Sequence, residues 1–122
     1  MSCLFNSLSY FVSIDSFTLR QTICDYLEQN RQIIDGLDTN FVLALESGTT
    51  AAEYIRCMRN MSEWGGAPEI QAACNLWNMC IIVRNYRNRG SKNIEFVPLS
   101  GTYDRTIELY WTGGHYEPIR NS

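Results

Sequence analysis

The chain has 122 residues, of which 45% are hydrophobic and 19% are charged, and its formal net charge is −3. This length and composition predict a single globular domain over residues 1–122, large enough to bury a core without disulfide bonds. The acidic balance argues against nucleic acid as a partner, because phosphate binding needs a basic surface. The longest apolar runs fall far short of the roughly 20 residues of a membrane-spanning helix, so no membrane partner is expected.

The cysteine and histidine content argues against a metal site. The chain has five cysteines and one histidine, and the nearest cysteine pair, Cys74 and Cys80, has no short metal-binding spacing. We therefore expect no metal and no cofactor. Reduced thiols are typical of the cytoplasm, and the first residues lack the basic start of a signal peptide, so we expect a cytoplasmic protein.

The first part of the chain carries helical patterns. Apolar residues recur at helical spacing over 4–12, and Ser2 stands where an N-cap would lie. Ser16 is the predicted cap of a second helix that ends near Gln29. A shorter helical piece is predicted around 41–45.

Two further helices have clearer start signals. Thr50 and Glu53 form a capping-box pattern, in which each side chain accepts a hydrogen bond from the other residue's backbone. Pro68 fits the first turn of another helix, which runs from Glu69 to about Trp77, because proline lacks the N–H that this turn leaves unbonded.

After residue 78 the pattern changes to short strands. Runs rich in β-branched and aromatic residues lie at 80–84, 94–98 and 106–111, separated by polar segments that include 87–92. The last run, 115–119, is predicted as an edge strand, where Pro118 is tolerated. Helices packed on a mostly antiparallel sheet give an α+β or α-β-α architecture.

Cys3 and His115 are the candidate catalytic pair. Cys3 stands in the predicted first turn of a helix, where backbone N–H groups and the helix dipole favour the thiolate. The other four cysteines lie beside apolar residues and are interpreted as small core residues. His115 taken alone fits an ordinary surface histidine equally well. If the two side chains meet in the fold, they form the nucleophile and base of a cysteine hydrolase.

Several segments resemble the ovarian tumour (OTU) family of cysteine proteases, many of which are deubiquitinases. Residues 2–10, SCLFNSLSY, are similar to the family's nucleophile motif, and residues 114–119, GHYEPI, are similar to its histidine motif. The segments between them that match the family, in family order, are 19–30, 53–58, 63–70 and 77–83.

This resemblance implies a papain-like α-β-α fold of the α+β class, with helices first and a small, mostly antiparallel sheet last. It also implies a cysteine-type deubiquitinase that hydrolyses isopeptide bonds after the C-terminal Gly-Gly of ubiquitin or a ubiquitin-like protein, so that ubiquitin conjugates are the expected partners. Cys3 matches the family nucleophile, and His115 matches the base that takes its proton and returns it to the leaving amine. Tyr116 matches the aromatic residue that follows the histidine; a tyrosine at the rim of the core is the other interpretation.

The chain departs from the family pattern at two points. In the family a Gly-Asp-Gly-type loop precedes the nucleophile and helps to form the oxyanion hole, whereas only Met1 and Ser2 stand before Cys3. The interpretations are a fragment of a longer protein, a late start, or a degenerate domain. Other members have Asp or Asn two positions after the histidine, where this chain has Glu117. Glu117 is the candidate third catalytic residue, and a solvated strand carboxylate is the alternative.

The remaining motif residues are interpreted as structural. Trp64, Gly65 and Gly66 match the family's Trp-Gly-Gly, and glycine would allow a tight turn ahead of the following helix. Asn6 and Ser7 lie in the nucleophile motif, where helical solubility and hydrogen bonding explain them equally well.

Three functions fit these observations. The first is an active OTU-type cysteine protease, which the presence of both Cys3 and His115 favours. The second is a catalytically inactive OTU-like module that binds ubiquitin or another protein, which the missing loop favours. The third is a plain interaction domain in which the thiol and the imidazole are incidental.

Overall fold

The computed structural model describes residues 3–85, 93–113 and 115–119, apart from the side chains of Cys3 and Glu46. Within these residues the α+β class is confirmed, with helices first and the larger sheet last. The helices are α1 (Cys3–Val12), α2 (Ser16–Glu28), α3 (Thr39–Ser47), α4 (Ala51–Met58) and α5 (Ala67–Trp77). The strands are β1 (Gln32–Ile34), β2 (Leu37–Asp38), β3 (Met79–Asn85), β4 (Ile94–Phe96), β5 (Arg105–Trp111) and β6 (Tyr116–Pro118). The predicted cap Ser2, the connection 87–92 and Gly114 lie outside the described residues.

Side-chain caps decide where α2 and α4 begin. Asp15 is the cap of α2, and its carboxylate accepts a hydrogen bond from the backbone of Thr18 at 2.8 Å. The prediction that Ser16 caps this helix was therefore wrong by one residue. Thr50 caps α4 as predicted, and its hydroxyl accepts from the backbone of Glu53 at 3.2 Å. The Glu53 carboxylate turns away from the predicted capping box and binds a neighbouring arginine on α4.

The β1–β2 hairpin was not predicted from the sequence. Its strands are two and three residues long, which is too short for an alternating pattern to be recognised. The turn contains Gly36, whose φ of 80° lies in the left-handed region that favours glycine. The hairpin leads directly into α3, which is longer than the predicted 41–45 and ends at Gly48 in the same left-handed conformation.

The larger sheet has the strand order β4-β3-β5-β6. Its two outer pairings are antiparallel, as the sequence predicted for most of the sheet, and its central β3–β5 pairing is parallel. Strand β6 lies at an edge, where Pro118 pairs with Leu109, so the predicted position of this proline is confirmed. Helix α5 covers the buried face of the sheet, and α1 packs beside β6.

Three of the four cysteines predicted as core residues are buried. Cys24, Cys74 and Cys80 are fully or almost fully inaccessible, and burial raises the pKa of the Cys24 and Cys74 thiols to about 12. Cys57 is only half-buried, so the core interpretation was wrong for this residue. Its Sγ lies 3.8 Å from the carboxylate of Glu53, on the partly exposed side of α4.

Candidate active site

His115 and Glu117 lie together at the corner between β5 and β6. His115 stands in the turn, and its carbonyl accepts a hydrogen bond from the backbone of Thr112 at 3.1 Å. Its Nε2 lies 2.5 Å from Oε1 of Glu117, and about half of each side chain is exposed. Glu117, the second residue of β6, stands two positions after His115, which directly precedes the strand, so the two side chains can meet on one face. The structure thus has the neighbouring carboxylate that the sequence suggested, while its role in catalysis stays a prediction.

The contact with Glu117 uses Nε2 of His115, so Nδ1 is the ring nitrogen that can serve in proton transfer. In a neutral imidazole one nitrogen donates and the other accepts. When Nε2–H donates to the carboxylate, Nδ1 is the acceptor, and it is the atom that can take a proton from a thiol. The carboxylate then faces the positive charge that the ring gains. The pair is therefore chemically suited to general base catalysis.

Two hydrogen bonds fix the direction in which α1 runs. Near its end, the Arg105 guanidinium donates to the carbonyl of Phe11 at 3.0 Å. One turn earlier, the buried Ser7 hydroxyl donates to the carbonyl of Tyr116 at 3.2 Å. Arg105 begins β5, whereas Tyr116 directly follows His115. Helix α1 consequently points its N-terminal end toward the corner that holds His115.

Cys3 is the first residue of α1. It lies four residues before Ser7, which is one turn and about 6 Å along the same face of the helix. Because Ser7 contacts the residue next to His115, the fold brings the backbone at Cys3 and at His115 to the same end of the molecule. The Cys3 side chain lies outside the described residues, so its predicted contact with the imidazole stays a prediction.

Tyr116, predicted to pack around the imidazole or at the rim of the core, is half-buried. Its ring lies 6.5 Å from that of Trp111, the residue with which it pairs across the β5–β6 ladder. Both rings are packed against the core cluster. These contacts favour the interpretation as a residue at the rim of the core.

Gly65 packs against the start of α1. A Cβ atom at this position would lie 2.7 Å from Cδ2 of Leu4 and 2.9 Å from Cε2 of Phe5, and both of those side chains are buried. Gly65 is therefore structural, as the sequence suggested, but for a different reason. Its φ is outside the left-handed region, and the reason is the close approach to α1 rather than a tight turn, because a larger residue would have to displace the Leu4 and Phe5 side chains.

Arg20 is a residue to which the sequence patterns assigned no role. Its side chain is fully buried. The guanidinium donates to the carbonyls of Met58 at 2.7 Å, Asn60 at 2.8 Å and Glu63 at 2.9 Å. Its central carbon lies 4.1 Å from the ring centroid of Phe5, in the first half of α1. One buried cation thus contacts both the candidate nucleophile helix and the segment that follows α4.

The described part of the chain shows neither a metal-ligand cluster nor a helix suited to span a membrane. No three His, Cys, Asp or Glu side chains there come together as metal ligands would. None of the helices there combines the length and apolar character needed to cross a membrane.

Comparison with known families identifies the fold and its class of chemistry. A family model described as OTU-like cysteine protease matches residues 2–116. The chain belongs to this family. Ubiquitin thioesterase otu2 of Schizosaccharomyces pombe is 28% identical over 132 residues, an alignment that covers 97% of this chain and 42% of that protein. The chain therefore spans less than half the length of this OTU relative.

Solved OTU structures share the same architecture. The OTU domain of OTUD1 superposes with a TM-score of 0.70 at 21% identity, covering 98% of this chain and 79% of that one. An OTU domain solved in complex with ubiquitin has a TM-score of 0.75 at 21% identity, covering 96% and 62%. An OTU deubiquitinase from Wolbachia pipientis wMel bound to ubiquitin has a TM-score of 0.65 at 18% identity, covering 98% and 90%. The OTU fold expected from the sequence is confirmed.

Proposed function

We propose that this chain is a cysteine-type deubiquitinase that hydrolyses isopeptide bonds after the C-terminal Gly-Gly of ubiquitin or a ubiquitin-like protein, in the cytoplasm. The observation that carries the proposal is the Ser7–Tyr116 hydrogen bond, which directs the start of α1 toward the His115–Glu117 pair. The family supplies the class of chemistry. The choice of substrate is supported by a relative that is a ubiquitin thioesterase and by an OTU domain solved in complex with ubiquitin.

In the proposed mechanism, Nδ1 of His115 takes the proton from Sγ of Cys3. The thiolate attacks the carbonyl carbon of the terminal glycine, and the carbonyl oxygen gains negative charge. N–H groups in the first turn of a helix have no partner within the helix, so the start of α1 offers positive potential to that oxygen. Glu117 holds the imidazole in one tautomer and stabilises its charged form.

The same histidine proton then completes the reaction. His115 gives it to the lysine amine as the C–N bond breaks, which leaves ubiquitin joined to Cys3 as a thioester. A water molecule loses a proton to His115 and attacks the thioester carbon. Sγ leaves and takes up that proton, so the enzyme returns to its starting state. Ubiquitin departs as a carboxylic acid, which loses its remaining proton to solvent and becomes a carboxylate.

A ubiquitin probe with a C-terminal electrophile tests the proposal. We expect one covalent adduct, which peptide mass spectrometry assigns to Cys3. Cys3→Ala should abolish the adduct, and Cys57→Ala, which removes the half-buried thiol on α4, should keep it. An adduct that survives Cys3→Ala would contradict the assignment of the nucleophile.

A second measurement separates the protease from an inactive binding module. Binding of unmodified ubiquitin is measured by calorimetry on the same samples. Binding of ubiquitin without any adduct from the electrophilic probe would contradict the enzyme and support the module.

A further inference from the structure

We propose that Arg20 is a positioning residue for the first turn of α1, which carries Cys3. The inference rests on the proposed function, in which Cys3 is the nucleophile. We call the group formed by the Arg20 guanidinium, the Phe5 ring and the carbonyls of Met58, Asn60 and Glu63 the Arg20 brace. Arg20 acts through these contacts and not on the substrate.

The Arg20 guanidinium fits three backbone carbonyls at once. The last carbonyls of a helix have no partner within that helix, and here Arg20 bonds them where α4 ends and the chain turns away. The third carbonyl, that of Glu63, lies next to the Trp64–Gly65–Gly66 segment. A planar group with five donors reaches all three at once, which a lysine ammonium on a flexible stem does not reproduce.

A buried carboxylate holds the other end of the loop between α4 and α5. Glu69 is fully buried, and its Oε1 accepts a hydrogen bond from the backbone of Gly66 at 2.7 Å. Its Oε2 accepts from the Tyr54 hydroxyl at 2.7 Å. The loop between α4 and α5 is thus fixed by a buried cation at one end and a buried anion at the other. This leaves Gly65, in between, little freedom to move.

Phe5 lies between the Arg20 guanidinium and Gly65. The Phe5 ring contacts the Arg20 guanidinium on one side and approaches Gly65 on another. Phe5 is two residues after Cys3, so the two residues belong to the same turn of α1, and a backbone shift at Phe5 moves Cys3 as well. A shift of about 1 Å in a reacting group can cost about 100-fold in rate. The buried charge at Arg20 therefore sets the distance between the start of α1 and His115.

Arg59 provides a matched control. It also joins α2 to the end of α4, because its guanidinium bonds Asp25 at 2.8 Å and Glu28 at 2.9 Å. These carboxylates are more than half exposed and lie on the outer side of α2. Removal of Arg59 should therefore loosen the same two helices without moving Phe5.

The experiment compares Arg20→Lys and Arg20→Met with Arg59→Met at a temperature where thermal melts show each variant to be folded. We expect kcat for a ubiquitin conjugate to fall about 10- to 100-fold in the Arg20 variants, with KM little changed, and to stay at the parent value in Arg59→Met. The rate of Cys3 alkylation by iodoacetamide is measured from pH 5 to 9 by peptide mass spectrometry. We expect the pH at which this rate reaches half of its maximum to rise only in the Arg20 variants. A folded Arg20 variant with parent kcat and the parent alkylation profile would overturn the proposal.

Gly65→Ala keeps the inference testable if the Arg20 variants do not fold. This change leaves Arg20 in place and pushes its new methyl group against Leu4 and Phe5. The same shift in Cys3 alkylation is expected, and a parent profile would contradict the role of the brace. If the parent protein forms no ubiquitin adduct, the proposed function fails, whereas the alkylation profiles still decide whether Arg20 positions Cys3.

Discussion

The β5–β6 corner and the Arg20 brace both depend on charged side chains, yet they differ in burial and in sequence range. At the corner, His115 and Glu117 are two residues apart and about half exposed. In the brace, Arg20 is fully buried and bonds carbonyls that lie 38 to 43 residues away in the sequence. The corner is thus formed by a local contact that is open to solvent, whereas the brace is formed by long-range contacts that are closed to solvent.

This difference assigns different tasks to the two regions. An exposed imidazole can exchange protons and contact a substrate, and its replacement leaves no buried group without a partner. A buried guanidinium keeps its charge at neutral pH, even though burial lowers the pKa of Arg20 below its usual value, and breaking its contacts costs stability. We therefore expect changes at the corner to affect the reaction without loss of stability, and changes in the interior to lower stability whether or not they also affect the reaction.

The largest effect is expected from Glu69→Ala in the interior. The change removes the acceptor of two buried hydrogen bonds, one from Tyr54 and one from Gly66. Because bonds to a buried charged group are worth more than neutral ones, the free energy of unfolding should fall by about 3 kcal/mol or more. Urea denaturation measures it, and Glu69→Gln, which keeps one acceptor, should lose less. A Glu69→Ala variant with the parent urea midpoint would contradict this role for the interior.

Alkaline pH should destabilise the interior next. Burial raises the pKa of the Cys24 and Cys74 thiols to about 12, whereas an ordinary thiol titrates near 9. The folded state therefore keeps these protons longer than the unfolded state does. Their contribution to stability is fully present below pH 9 and is lost as the pH rises toward 12, with a slope of up to about 1.4 kcal/mol per pH unit for each thiol. Urea midpoints at pH 8.5 and 10.5 test the slope, which Cys24→Ala should reduce.

A comparison of Cys74→Ser with Cys57→Ser sharpens the contrast between buried and accessible positions. The hydroxyl in Cys74→Ser enters the buried face of α5, and its shorter bond to Cβ draws it away from the Phe96 carbonyl that Sγ reaches at 3.5 Å. We expect a loss of about 1 to 3 kcal/mol in the free energy of unfolding. Cys57→Ser, at a half-buried position, should stay within about 0.5 kcal/mol of the parent. Equal losses in the two variants would mean that burial does not decide the effect.

Much of the fold could be predicted because its signals are local. Helical spacing in the first segment gave α1, and Pro68 gave the start of α5, since neither depends on distant residues. The β1–β2 hairpin is too short for any pattern, and the parallel β3–β5 pairing depends on how the chain crosses the sheet. Neither is encoded in a window of neighbouring residues.

The candidate site shows the same division. Glu117 was found because it stands two positions after His115, where other members of the family have Asp or Asn, and a pair so close in sequence is local. Arg20 was missed because its partners are remote, although one signal was present in the sequence. Position 20 lies at helical spacing with Ile23 and Leu27, so a charged residue stands on the same face as two apolar residues. A charge at such a position indicates a buried partner elsewhere in the chain.

At the corner, Glu117→Ala should lower kcat about tenfold, which is a moderate effect for a group that orients a catalytic base and is itself half exposed. Glu117→Gln should lower it less, because the amide oxygen still accepts the Nε2–H bond although the charge is lost. Hydrolysis of a ubiquitin conjugate measures both, and thermal melts should match the parent. Parent rates in both variants would make Glu117 a surface carboxylate only.

The smallest effect is expected from Ser7→Ala. This change removes the hydrogen bond from the Ser7 hydroxyl on α1 to the carbonyl of Tyr116, the residue that follows His115. The hydroxyl is buried, so its loss should lower the free energy of unfolding by about 1 kcal/mol. Ser9→Ala is the control on the same helix, since that hydroxyl bonds the carbonyl of Ile14 just beyond α1 and not the β5–β6 corner. Both variants should melt slightly below the parent, but only Ser7→Ala should also lower kcat, by a few-fold, because the Ser7 bond links Cys3's helix to the corner and the Ser9 bond does not. Equal kcat values in the two variants would show that α1 is directed toward His115 by its packing alone.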